Sequence, residues 1–164
     1  MLIKGLVDED FTNYKKPSMY IAFPNCDFKC DYEAGCSICQ NSLLIREPNI
    51  DILPHMIVSR YIHNPITKAI VFGGLEPILS YEDMYNLIEE FREVTKDDIV
   101  IYTGYTEEEL ESIYFNAHLV LEELADFSNI VIKFGRFVPN QEKHYDEVLG
   151  VELASPNQYA RRIS

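Results

Sequence analysis

A chain of 164 residues and 19.0 kDa is long enough for one domain with a substantial core. Its formal net charge of −13 speaks against nucleic acid as a partner, which would need a basic stripe. That charge suits either a solvated acidic surface or docking on a basic protein patch.

No apolar run approaches the roughly 18 residues of a membrane span. In "MLIKGLVDEDFTNYKK" acids stand where a signal peptide would have its apolar stretch. A cytoplasmic protein with no membrane partner is expected.

In chain order, "SMYIAF" (18–23) reads as a first buried strand. The loop after it, "CDFKCDYEAGCSICQN" (26–41), holds all four cysteines. Leu53, Ile57 and Tyr61 then recur at helical spacing, with Pro54 in the first turn. "AIVFG" (69–73) is the second strand. Ser80 stands at the N-cap position of the Met84, Leu87, Ile88, Phe91 stripe, with Asp83 in its first turn. "DIVIYTG" (98–104) is the third strand. Thr106 and Glu109 fit a capping box that opens a helix carrying Leu110, Ile113 and Tyr114. A helical piece at about 117–126 carries Leu121 and Leu124, and "NIVIKFG" (129–135) is the fourth strand.

The strands are short, continuous apolar runs, which suits a parallel sheet covered on both faces. Strands alternating with helices imply βαβ units in an α/β fold. The length falls short of the ~250 residues of a full eight-stranded barrel. A partial barrel or open sheet of five or six mostly parallel strands with covering helices is expected. It forms a single domain over 1–164, without repeats or linkers.

The unusual residues fall at the strand ends. The cysteine loop follows the first strand, "GGLEP" (73–77) the second, "TGY" (103–105) the third and "GRF" (135–137) the fourth. Loops at C-terminal strand ends line active sites in such sheets, so one composite site is implied. Reduced cytosolic thiols make two disulfides in so short a loop a poor reading. Three residues separate Cys26 from Cys30, two separate Cys36 from Cys39, and only five lie between the pairs. That gap cramps a tetrahedral zinc site built from all four cysteines without forbidding it. The alternative is an iron–sulfur cluster held by three thiolates, with one iron open to a ligand. The four histidines show no ligand-like spacing.

A C-x3-C pair and a further Cys after the first strand, with GGxxP after the second, resemble the radical S-adenosylmethionine (SAM) superfamily. "CQN" (39–41), "GGLEP", "IYTGYTEEEL" and "LASPNQ" (153–158) are similar to the motifs of anaerobic ribonucleoside-triphosphate reductase-activating proteins. The similarity runs from about residue 18 to 162. There are departures. Eight residues separate Cys30 from Cys39 where that family has two, so "DYEAGCSI" reads as an insertion. Phe134-Gly135 replaces an Asp-Gly pair, and Tyr102 replaces a Trp.

The resemblance implies a partial β/α barrel of the radical SAM type. It also implies a 4Fe–4S cluster on Cys26, Cys30 and Cys39, with Cys36 as the rival third ligand, and SAM on the open iron. One electron then cleaves SAM to methionine and a 5′-deoxyadenosyl radical, with the chemistry carried by the cofactors. Gly73 and Gly74 would let the backbone approach the methionine moiety, Glu76 would add charge, and Pro77 would close the turn; an ordinary strand-to-helix turn is the plainer reading. Thr103 would meet the ribose or carboxylate, or serve the turn alone. Lys133, within an apolar strand, either pairs with the SAM carboxylate or snorkels to water. The implied partners are the large subunit of an anaerobic ribonucleoside-triphosphate reductase, made into a glycyl radical, and a flavodoxin-like or other low-potential electron donor. Radical SAM chemistry on a small molecule or nucleoside, and a non-enzymatic zinc module, are the competing readings.

Overall fold

A computed structural model describes residues 1–164. Six strands form one sheet: β1 (Gly5–Asp10), β2 (Ser18–Phe23), β3 (Ala69–Gly74), β4 (Asp98–Tyr102), β5 (Ile130–Phe134) and β6 (Tyr159–Arg162). Their spatial order is the reverse of the chain order, β6-β5-β4-β3-β2-β1, so each strand lies beside its sequence neighbour. β2, β3, β4 and β5 are parallel to one another. β1 and β6 pair antiparallel at the two edges, so the sheet is mixed. It stays open: β1 and β6 do not pair, and no barrel closes.

The four apolar runs lie in the central, parallel part of this sheet. A two-residue period divides their side chains between its faces. On one face Ile21, Phe23, Ile70, Phe72, Ile99, Ile101, Ile130 and Ile132 join the main core. Helices α2 (Pro54–His63), α3 (Tyr81–Val94), α4 (Glu107–Leu110) and α5 (Val120–Ala125) bury their apolar residues against it. Edge-to-face contacts at 5.3 Å (Phe23–Phe72) and 5.4 Å (Tyr61–Phe91) lock this core, each worth about 0.5–1.5 kcal/mol beyond burial. On the other face, Ala69, Val71, Val100, Val131 and Ala160 meet Tyr14, Leu149 and Leu153. That face is covered by the segment around Tyr14 and by a hairpin of His144–Asp146 against Val151–Leu153, where covering helices were expected. No helix is long and apolar enough to cross a membrane.

Three local expectations change. Ser80 makes no side-chain cap on α3; its hydroxyl instead accepts from Asn25 Nδ2 at 2.9 Å. The helix opened by the Thr106–Glu109 capping box ends at Leu110. Residues 114–119 instead form a hairpin, Tyr114–Phe115 against His118–Leu119. Asn116 (φ 46) and Ala117 (φ 71) are left-handed at its tip, as a two-residue turn of that type requires.

A polar knot closes the sheet at the end remote from the strand-end loops. Asp98 opens β4 with its carboxylate buried, accepting from Tyr14 Oη (3.0 Å), Lys16 Nζ (2.5 Å) and Arg162 (2.6 Å). Burial alone would raise this carboxyl, but the three donors outweigh it and hold it below the usual range. A depressed carboxyl contributes stability above the unfolded value, near 3.9, and loses it as pH falls through the folded one. Asp98→Asn should therefore destabilise the protein by about 1.5–3 kcal/mol at pH 7. The gap from wild type in urea unfolding should shrink below about pH 4.

Candidate cofactor site at the strand ends

Segments leaving the C-terminal ends of β2, β3, β4 and β5 meet around one cleft of ≈ 340 Å³, a volume in the range of small-molecule sites. Cys26, Cys30, Cys39, Gly73, Gly74, Glu76, Thr103 and Lys133 all line it. Pro77 does not; it is buried at the start of a 3-10 turn over Pro77–Ser80 and serves the turn.

The cysteine loop leaves β2 and runs through helix α1 (Lys29–Ala34). Cys26, Cys30 and Cys39 are half-buried, whereas Cys36 is exposed and lies outside the cleft lining. Cys30 and Cys39 lie close enough for their thiols to interact. Burial pushes the Cys26 thiol up to about 11. Burial and the neighbouring Cys39 push Cys30 to about 12. Binding iron would displace these protons. No three His, Cys, Asp or Glu side chains converge on a point that could hold a single ion. Three soft thiols lining one cleft are the donor type that an iron–sulfur cluster takes.

The Gly73-Gly74 turn is tight for a reason internal to the protein. A Cβ on Gly73 would stand 2.7 Å from Tyr20 Oη, and one on Gly74 (φ +85) 2.7 Å from Ala22 Cα. Tyr20 Oη accepts from the Gly74 N–H at 2.6 Å, and Asn41 Nδ2 donates to the Gly74 carbonyl at 2.6 Å. The glycines thus admit Tyr20 and the neighbouring strand, which adds a second cause to the ligand approach expected of them. A lone pair of the Gly74 carbonyl is already engaged, leaving the other for a ligand.

Glu76 is 5% exposed. One carboxylate oxygen accepts from Ile78 N at 3.2 Å and the other from Gly104 N at 2.8 Å, which ties the loops after β3 and β4 together. Burial raises its carboxyl to about 7 against these hydrogen bonds. Thr103 is also buried; its hydroxyl accepts from Tyr105 N at 3.0 Å, so it organises its own turn while facing the cleft. Lys133 does not snorkel. It is 6% exposed and donates to the Gly135 carbonyl at 2.6 Å. Burial lowers its ammonium to about 8, partly opposed by Glu76.

Among the lining residues, Tyr20 sits inside an apolar strand and reads there as core; Tyr102, Arg136 and Gln158 stood in motifs the sequence marked, but without the roles they take here. Arg136 pairs with Glu109 (2.6 Å) and Glu33 (3.5 Å), and Lys29 with Glu109 (3.6 Å), bridging the cysteine loop to the later loops at the rim. Gln158, in the "LASPNQ" segment, donates to the Gly135 carbonyl at 3.3 Å and lines the cleft.

Glu76 and Gly104 give a direct spectroscopic test in the apoprotein. The Gly104 amide resonance should shift with a midpoint at about pH 7, and Glu76→Gln should abolish that shift. A carboxyl raised on folding makes the folded state take up protons. Stability should therefore fall as pH rises from the unfolded value, near 4.3, towards 7, and less so in the variant.

A family model described as "4Fe-4S single cluster domain" matches residues 18–157, most of the chain, from the first parallel strand through the cleft to the "LASPNQ" segment. No curated protein and no solved structure gives a significant match. With a half-buried three-thiol donor set at the cleft, the residues fit that cofactor. The chain belongs to the 4Fe-4S single cluster domain family.

Proposed function

We propose that this iron–sulfur protein is a radical SAM activase that generates a glycyl radical on an anaerobic ribonucleoside-triphosphate reductase. The observation that carries the reading is that the C-x3-C…C loop and the glycine turn face one cleft, beside a buried Lys and a buried Glu. Cys26, Cys30 and Cys39 would hold three irons of the cluster. When bound and reduced, a 4Fe–4S cluster supplies the electron that cleaves the SAM sulfonium to methionine and a 5′-deoxyadenosyl radical.

The chain's own residues bind, orient and exclude water. Lys133 presents a buried cation that suits the carboxylate of SAM, and its low hydration makes that pairing strong. Glu76 holds the Gly104 amide and the turn after β3 in fixed relation, so the cleft wall does not reorganise when a ligand enters. Tyr20 accepts from the Gly74 N–H and Asn41 donates to the Gly74 carbonyl, so the peptides on both sides of Gly74 are held. In this reading the open six-stranded sheet is the partial β/α barrel of such enzymes, with the cleft at its strand ends.

Support for a protein substrate is the "TGYTEEEL" and "LASPNQ" pattern, together with the −13 charge, which favours steering onto a basic patch of a larger partner. A flavodoxin-like or other low-potential protein would supply the electron.

Anaerobic reconstitution should give about four iron and four sulfide per chain, the content of one 4Fe–4S cluster. Cys26→Ala, Cys30→Ala and Cys39→Ala should each abolish it and Cys36→Ala should not; loss in Cys36→Ala with retention in Cys39→Ala would reverse the ligand assignment.

The loaded, reduced protein should convert SAM to 5′-deoxyadenosine and methionine. With the cognate reductase it should give the electron paramagnetic resonance doublet of a glycyl radical. SAM cleavage without that doublet would replace the protein substrate by a small molecule, and no cleavage by a loaded cluster would end the radical SAM reading.

A further inference from the structure

The eight residues between Cys30 and Cys39 must fold back if the two thiols are to meet, and nothing apolar makes them do so. No residue of α1 is buried, and none is buried anywhere from Asn25 to Met56. Gly35, left-handed at φ 66 with open space around it, stops α1 and reverses the chain. Past that point, one side chain receives the returning strand. Asp31, directly after Cys30, accepts at a single carboxylate oxygen from Ile38 N (2.8 Å) and Cys39 N (2.7 Å). The same oxygen lies 3.9 Å from Cys30 Sγ.

We infer that Asp31 is the positioning residue of the cluster loop, holding Cys39 beside Cys30 across the insertion. This rests on the reading of Cys26, Cys30 and Cys39 as cluster ligands. With a two-residue spacer, the covalent chain by itself keeps two cysteines near each other. With eight, the closure has to come from a contact, and a carboxylate accepting two amide protons is a strong one. Two adjacent N–H groups aimed at one oxygen also fix the direction in which the Cys39 backbone enters the site, hence the side from which its thiol approaches. Asp31 is not a cluster ligand in this reading; it acts through the Cys39 backbone, with the same oxygen beside Cys30 Sγ, as outer-shell partners do for metal ligands.

The test compares Asp31→Ala, Asp31→Asn and Cys39→Ala with wild type. Asparagine keeps an oxygen that can accept from both amides; alanine keeps none. In the apoprotein, the Ile38 and Cys39 amides should exchange slowly in wild type and Asp31→Asn and rapidly in Asp31→Ala, while the amides of β3 and β4 are unchanged. In the reconstituted protein, Asp31→Ala should lose its cluster to an iron chelator on the order of 10-fold faster than wild type, with Asp31→Asn restoring most of the difference. Asp31→Ala with wild-type cluster retention, while Cys39→Ala loses the cluster, would overturn the role of Asp31 alone. Equal lability of the Asn and Ala variants would overturn it too, since the acceptor would not then be what matters. Cluster retention in Cys39→Ala would overturn the ligand reading, and this inference with it.

Discussion

A carboxylate buried to 5% exposure sits where two loops of this protein meet, and the cleft is built around that constraint. Glu76 has to find donors inside the protein, and it finds them in the Ile78 and Gly104 amides, one from the turn after β3 and one from the turn after β4. Burying the charge without those bonds would cost several kcal/mol; with them, the carboxyl is still raised to about 7. Lys133, lowered to about 8 by burial, lies near enough to feel that charge. Burial thus disfavours the charge on both groups, raising the carboxyl and lowering the ammonium, and the Glu76 charge opposes the shift of Lys133.

Around this pair the polar groups are mutually engaged. Tyr20 holds the Gly74 N–H and Asn41 the Gly74 carbonyl, Thr103 holds the Tyr105 amide, and the Gly135 carbonyl receives both Lys133 and Gln158. Such a network is rigid when every member is satisfied. Preorganisation of this kind is what a site needs if its contribution is to orient cofactors that carry the chemistry themselves.

The opposite wall is built differently. The helix-covered face of the sheet is a continuous apolar core, while the cysteine loop has no buried residue at all. Its conformation rests on Asp31, on the bond from Asn41 to Gly74, and on rim ion pairs from Lys29 and Glu33 to Glu109 and Arg136. A loop with so little packing rests on those polar contacts alone.

Much of this could be read from the chain because it is local. Apolar runs of five or six residues marked β2 to β5, the Thr106–Glu109 capping box was visible as two residues three apart, and clustered cysteines in a loop announced a metal site by type alone. The edge strands β1 and β6 escaped, since half-exposed, charged strands resemble loops in sequence. Spacing could not separate Cys36 from Cys39; only the folded loop leaves one exposed and turns the other to the cleft. The glycines at 73 and 74 were visible, but not that Tyr20, 54 residues before Gly74, occupies the space they leave. Residue types and short-range periodicity belong to the sequence, because they act between near neighbours. Which distant amide a buried carboxylate answers, and which thiol faces which turn, belongs to the tertiary structure, because contacts across dozens of residues leave no periodic trace in the chain.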